Sequence, residues 1–324
     1  MATLVVTICG ALVVPICVGI GCASAFLLRN PIILYAKKRI KVRCHHISHR
    51  GGAAENLENT MAAFKHAHKL GTDMLEIDCH VTKDGYVVVS HDNSLERTTG
   101  KRIKISETDY CDLPPLHSTL DVTFCKGQII SGEDKTIPQL STLFEAFPNT
   151  VINVDIKIDN DLLIYKVSEL IKQYKREEIT VWGNFSDRIT KKCYKENPSV
   201  PLLFSFRSAL QMLVLYYIGL LPFFPIKESA FEMVMPTVFN DIGRQYFNSR
   251  RGRLFGRFLD YLIMDEKLIG HLNKRGIFTS LWVLNNEKDF KRAFDVGVQG
   301  VMTDYPSKLR AFLEENPHYT QTCN

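Results

Sequence analysis

The chain has 324 residues, 45% of them hydrophobic, and a formal net charge of +5. The excess is local: residues 1–54 hold seven Lys and Arg (Arg29, Lys37, Lys38, Arg39, Lys41, Arg43, Arg50) and no Asp or Glu, which leaves −2 for the rest. This excludes a chain-wide basic surface, and no nucleic-acid partner is expected.

Residues 2–28 carry no charge and are long enough for a membrane-spanning helix. No basic stretch precedes them, as in a cleaved signal, and a basic flank follows. We therefore expect a single transmembrane anchor over residues 1–28 and a basic juxtamembrane linker over 29–44. The positive-inside bias puts the rest of the chain on the cytosolic side, at an internal membrane such as the endoplasmic reticulum. The nine cysteines show no CxxC pair and no zinc spacing, so free thiols are expected.

From residue 45 short β-branched runs alternate with helical patterns. Strands are predicted at 45–49, 73–81 and 86–90, with a helix at 59–70 between the first two. An irregular stretch, 92–137, leads to a helix at 139–147 and a strand at 151–157. Helix 162–175, strand 179–182, helix 187–196 and strand 200–205 follow. The last part reads as strand 232–235, helix 265–274, strand 277–283, helix 287–296, strand 300–303 and helix 306–314. Repeated βα units, about eight of them, predict a (β/α)8 TIM barrel over 45–316, with a tail at 317–324. No GxGxxG loop follows the first strand, which weakens a dinucleotide-binding open sheet.

A second charge-free stretch, 209–226, ends in Leu-Leu-Pro-Phe-Phe-Pro. A crossing there would put later strands on the wrong side of the bilayer. An interfacial helix or hydrophobic lip is the expectation, with a packed barrel helix as the alternative. Arg244, Arg250, Arg251, Arg253 and Arg257 cluster without an acid, which suits either anionic headgroups or a solvated loop.

In a strand, residues two apart share a face, so Glu76 projects with Asp78, and Asp155 with Lys157. Paired acids inside a barrel are costly without a cation between them. Glu76, Asp78 and Asp155 offer the hard oxygens that Mg²⁺ or Ca²⁺ takes. His49 and His91 end strands beside these acids and suit proton transfer at neutral pH. Arg50 and Lys157 suit the non-bridging oxygens of a phosphate.

His49-Arg50-Gly51-Gly52, Glu58-Asn59-Thr60, Glu76-Ile77-Asp78, Thr82-Lys83-Asp84-Gly85 and His91-Asp92 together resemble the glycerophosphodiester phosphodiesterase family. Asp155-Ile156-Lys157, Trp282-Val283-Leu284-Asn285 and Thr303-Asp304-Tyr305-Pro306 are similar to its distal signatures. The anchor and Trp182-Gly183-Asn184 look like its membrane-anchored lysophospholipase D branch. The resemblance implies His49 and His91 as the acid/base pair and Glu76, Asp78 and Asp155 as ligands of a divalent metal. Glu58 is expected to orient Arg50, and Trp282 to support the site. Leu57 stands where the family usually has proline, and Asp155 where many members have Glu. The expected substrate is a lysophospholipid. Alternatives are another two-histidine barrel phosphodiesterase acting on phospholipid headgroups, or a non-catalytic, membrane-held lipid-binding protein.

Overall fold

The computed structural model describes residues 2–236, 238 and 249–321, with residues 2–14 as helix backbone only. Arg244 and residues 322–324 of the expected tail lie outside the described residues.

The barrel is built from β1 (His46–Ser48), β2 (Met74–Val81), β6 (Val151–Ile156), β7 (Thr180–Gly183), β8 (Ala230–Val234), β9 (Phe278–Trp282) and β10 (Gly300–Thr303). Their order in the sheet is β7-β6-β2-β1-β10-β9-β8, and every neighbouring pair is parallel. β3 (Val87–Val89) adds to β2 antiparallel, and β4 (Thr119–Asp121) pairs with β5 (Ile129–Ser131). The expected strand at 200–205 shrinks to two bridges, Leu202 to Trp182 and Leu203 to Ala230. These two residues fill the gap between β7 and β8, so the ring is nearly closed with eight staves. Pro201 lacks an N–H, which limits the ladder that can start there.

After an N-terminal helix, α1 (Ala2–Arg29), each stave is followed by its helix: α2 (Met61–Lys69), α4 (Leu140–Ala146), α5 (Asp161–Gln173), α6 (Asp187–Glu196), α7 (Phe206–Tyr217), α9 (Glu266–Lys274), α10 (Glu287–Asp295) and α11 (Pro306–Glu315). Among the described residues, α3 (Glu96–Thr99) and α8 (Arg250–Ile263) also sit in strand-to-helix connections. The helix starts follow local chemistry. Thr60, Asn160, Ser205, Asp265 and Asn286 each accept a backbone N–H of the first turn.

Strand alternation sorts the core. Leu75, Ile77 and Cys79 of β2, and Ile152, Val154 and Ile156 of β6, pack with Phe64, Leu163 and Val167 of the helix layer. The alternate residues face inward. Met74, Val151, Ala230 and Phe278 plug the lower end of the barrel together with Val42 and Cys44 of the expected linker. The upper inward positions are polar: Glu76, Asp78, Asn153, Asp155 and Glu232.

The expected transmembrane span is not found: among the described residues no helix is long and apolar enough to cross a membrane. α1 runs the length of the expected anchor, but side chains are described only from residue 15 on. That part rises about 22 Å, short of a hydrocarbon layer of about 30 Å. The 209–226 stretch is the barrel helix α7 followed by a turn. Ala209, Met212 and Leu213 are buried, while Phe206, Leu210 and Val214 are exposed. The seven described cysteines are all free.

Candidate active site

At the C-terminal ends of the strands lies a cavity of about 250 Å³, and its lining includes His49, Arg50, Glu76, Asp78, His91, Asp155, Lys157 and Trp282. Those are eight of the nine site residues named from the sequence. The ninth, Glu58, stands behind Arg50. The end of β1 explains how His49 and Arg50 enter together. Arg50 takes a left-handed conformation (φ 50, ψ 31), which turns its N–H onto Glu76 Oε2 at 2.8 Å. Gly51 and Gly52 follow at φ 79 and 96. A Cβ on Gly51 would lie 2.8 Å from Phe64 of α2, and one on Gly52 2.6 Å from Pro306 of α11. The glycines let the turn sit flat against both helices.

Each histidine has a carboxylate on Nδ1. His49 Nδ1 lies 2.6 Å from Asp304 Oδ1, and Asp304 accepts from Asn285 Nδ2 at 3.0 Å through its other oxygen. Asp304 is buried, and as a carboxylate it takes the His49 Nδ1–H on one side and the Asn285 amide on the other. Nε2 is then left with its lone pair. Burial lowers the His49 pKa despite Asp304, which favours the neutral ring. His91 Nδ1 lies 2.7 Å from Asp92 Oδ1, nearer solvent. Asp92 accepts from Arg97 Nε at 2.6 Å, Arg97 donates to Glu58 Oε1 at 2.6 Å, and Glu58 Oε2 accepts from Arg50 Nη1 at 3.2 Å. Burial opposes the charge on Glu58, but Arg50 and Arg97 outweigh it and hold the carboxyl low. A continuous chain of charged groups thus runs from His91 to Arg50.

The acids are arranged around a lysine. Lys157 Nζ is 2.7 Å from Asp78 Oδ1 and 2.6 Å from Asp155 Oδ2. The register that pairs Asp78 with Asp155 across β2 and β6 sets this up. Asp78 Oδ2 accepts from Asn59 Nδ2 at 2.8 Å and Asp155 Oδ1 from Asn184 Nδ2 at 2.6 Å. Burial works against charge on Asp78, yet Lys157 and Arg50 hold its carboxyl well below the usual range. Glu76 goes the other way: burial and the Asp78 charge push it up.

The structure carries a test of metal fit. Among the described residues no three His, Cys, Asp or Glu are gathered to hold an ion, and Lys157 already stands between Asp78 and Asp155. The charge balance, however, favours a cation. Glu76, Asp78 and Asp155 line the cavity against Arg50 and Lys157, a deficit of one positive charge when all are ionised. Glu76 uses one oxygen for the Arg50 N–H, which leaves the other for a hard ion.

Several partners were not singled out in the sequence. Asp304 and Asn285 sit in segments recognised as family-like but not assigned a role. Asn59 is in the same position, and Glu232 lay unmarked in a strand. Its Oε2 accepts from Asn153 Nδ2 at 2.7 Å, while Oε1 is buried without a hydrogen-bond partner. Burial pushes its pKa up to about 8, Asn153 opposing only in part. The native state therefore binds this proton more tightly than the unfolded chain, and stability falls as pH rises from about 4.5 through 8. Glu232→Gln keeps an oxygen for Asn153 and removes the titration. Its melting temperature should gain on the wild type between pH 5 and 8.5; a pH-independent difference would show that Glu232 is not buried as the acid.

A parallel barrel with two carboxylate-backed histidines and two fixed cations in one mouth is an arrangement suited to a hydrolase of anionic esters. The comparisons agree. The model of the "Glycerophosphoryl diester phosphodiesterase family" matches residues 49–308. The human protein "Lysophospholipase D GDPD1" is 53% identical over 290 residues, covering 90% of this chain and 92% of its own. The human "Lysophospholipase D GDPD3" is 39% identical, with 90% and 92% covered. A putative glycerophosphoryl diester phosphodiesterase from Silicibacter pomeroyi has the same fold, with a TM-score of 0.61, 16% identity, and 87% and 96% coverage. An Oleispira antarctica phosphodiesterase, solved with sn-glycerol-3-phosphate, gives 0.59 at 19% identity, with 84% and 97% covered. The chain belongs to the glycerophosphoryl diester phosphodiesterase family, in its lysophospholipase D branch.

Proposed function

We propose that this protein is a lysophospholipase D. It hydrolyses the phosphodiester of lysoglycerophospholipids to lysophosphatidic acid and the headgroup alcohol, and takes glycerophosphodiesters as smaller substrates. The observation that carries the reading is the convergence of His49 and His91, each with its own carboxylate, on the cavity that Arg50 and Lys157 also enter. A non-catalytic binding protein has no use for two oriented imidazoles beside two fixed cations. The other wall, with Phe124, Phe185, Phe204 and Trp282, suits the apolar part of a single-chain lipid.

In this reading Arg50 and Lys157 hold the non-bridging oxygens. His49 Nε2 takes the proton of the glycerol 2-hydroxyl, which attacks phosphorus, closes a five-membered cyclic phosphate and expels the headgroup alcohol. His91 delivers the proton to that alcohol, and water then opens the ring. Attack from within the substrate gains from proximity and explains a preference for lipids with a free 2-OH. Glu76, Asp78 and Asp155 would hold a divalent ion, Mg²⁺ or Ca²⁺. When bound, it supplies charge stabilisation as negative charge builds on the phosphate. The uncharged run at 2–28 and the basic flank support seating at an internal membrane, such as the endoplasmic reticulum, with the barrel in the cytosol. The outward ridge of α7 supports a second contact through 209–226.

The test is product analysis on lysophosphatidylcholine and on its 2-O-methyl ether, with chelator and with each ion restored. The expected result is headgroup release from the first substrate, loss of turnover with the ether, and loss on chelation reversed by one of the ions. Cleavage of the ether at the normal rate would make water the direct nucleophile. Activity indifferent to chelation would remove the metal from the proposal.

A further inference from the structure

The helix α8 is amphipathic in the wrong direction for a soluble protein. At about 100° per residue, Leu254, Phe258 and Tyr261 fall on one stripe, and they are 57%, 56% and 72% exposed. Ile263, on the opposite side, is buried, and Asp260 turns toward α10 to pair with Arg292. The apolar stripe thus points away from the barrel. Arg250 and Arg257 flank it on one side and Arg251 lies on the other, all three exposed. Ser249 caps the helix by accepting the Gly252 N–H at 2.9 Å, so the arginines are presented from a formed helix.

The surroundings continue the pattern. Tyr217 at the end of α7 donates its hydroxyl to Leu262 O at 2.9 Å, which ties α8 to the helix whose Phe206, Leu210 and Val214 are exposed. The turn after α7 in turn receives the end of α1 and the segment that follows it: Ser24 bonds Gly219 O, and Tyr35 bonds Phe223 O. Ile16, Val18, Ile20 and Phe26 of α1 are exposed as well. Three helices with outward apolar faces therefore adjoin on one flank of the barrel.

We propose that α8 lies in the interface of an anionic bilayer, with Leu254, Phe258 and Tyr261 among the acyl chains and Arg250, Arg251 and Arg257 at the headgroups. An outward apolar stripe bordered by arginines is the pattern of a helix in the membrane plane, and the arginines select negatively charged lipid over a neutral surface. α8 belongs to the connection leaving the C-terminal end of β8, the end of the barrel that carries the site. Its insertion would hold that end against the membrane holding the substrate. The inference rests on the surface of α8 and stands apart from the catalytic assignment.

The experiment uses the full chain with Phe258→Trp in vesicles of phosphatidylcholine and phosphatidylserine carrying brominated acyl chains. The native Trp182 and Trp282 are subtracted with the unsubstituted protein. The added fluorescence should be quenched by the bromine atoms and shielded from aqueous iodide, and Arg250→Gln/Arg251→Gln/Arg257→Gln should remove both effects. Free access to iodide would overturn the proposal. So would shielding without bromine quenching, which would mean that another protein surface or a second copy covers α8. A kinetic arm compares short-chain lysophosphatidylcholine, dissolved as monomers, with long-chain substrate in the vesicles. Leu254→Ser/Phe258→Ser/Tyr261→Ser should slow only the second; equal slowing of both would overturn the proposal. If the unsubstituted protein cleaves neither substrate, the functional reading fails and the quenching result alone decides on α8.

Discussion

Turnover in an Asp304→Asn variant is expected to fall on the order of 10²- to 10⁴-fold, as far as in His49→Ala, with KM little changed. The reason is the direction of one hydrogen bond. Asp304 can only accept, so it fixes the proton on His49 Nδ1 and leaves Nε2 able to receive one. An asparagine, itself restrained by Asn285, can donate to Nδ1 instead. The proton then moves to Nε2, and the base is lost without any change in shape. Asp304 is buried behind His49 and does not line the cavity, so substrate binding has little reason to change. Asp304 is thus a positioning residue, and a substrate whose leaving group needs no proton separates it from the acid. On a p-nitrophenyl ester of lysophosphatidic acid, His91→Ala should recover most of its activity, whereas His49→Ala and Asp304→Asn should not. Recovery by all three would mean that His49 is not the base.

The second large effect is on stability. Lys157→Ala leaves Asp78, 1% exposed, facing Asp155 with its compensating ammonium gone. Breaking a buried pair from one side costs about 3–5 kcal/mol. For a barrel of this size that is a melting-point drop of roughly 5–10 °C. The pH dependence follows from the depressed Asp78 pKa. The stabilisation that Lys157 gives is fully present above the unfolded carboxylate value of 3.8 and is lost as pH falls through the lower folded one. The variant's deficit should therefore be largest near neutrality and shrink in acid. Adding Asp155→Asn to Lys157→Ala should restore part of the loss. An Mg²⁺ or Ca²⁺ titration that raises the melting point of Lys157→Ala more than that of the wild type would support the proposed ion. A deficit that does not vary with pH would contradict the pairing.

Most of the barrel was legible because parallel strands and their helices announce themselves locally. β2 alternates Leu75, Ile77 and Cys79 outward with Glu76 and Asp78 inward, and the turn at Lys83-Asp84-Gly85 ends it cleanly. Most of the site residues were legible for the same reason: they stand on the inner face of a strand or just past its end, Glu76 with Asp78 on β2 and Asp155 with Lys157 at the end of β6. The Lys157–Asp78 bond was not, because it depends on the register between β2 and β6. The partnership of Asp304 with His49 was hidden similarly. It joins residues 255 positions apart, and no local pattern reports it. The 200–205 strand was over-read because its apolar run continues into α7 after only two bridging residues. α8 escaped notice as a helix because its apolar stripe faces solvent, the reverse of what a core-seeking pattern expects.

The adjacency of β1 and β10 also bears on when the protein becomes active. The ribosome makes Asp304 255 residues after His49, and β10 cannot dock beside β1 until that stretch has been made. Until then a growing chain would carry His49 without its orienting carboxylate and a ring with one side missing. Even if its N-terminus has already reached a bilayer, such a chain could not act on lipid there, and catalysis would begin only once β10 has docked beside β1.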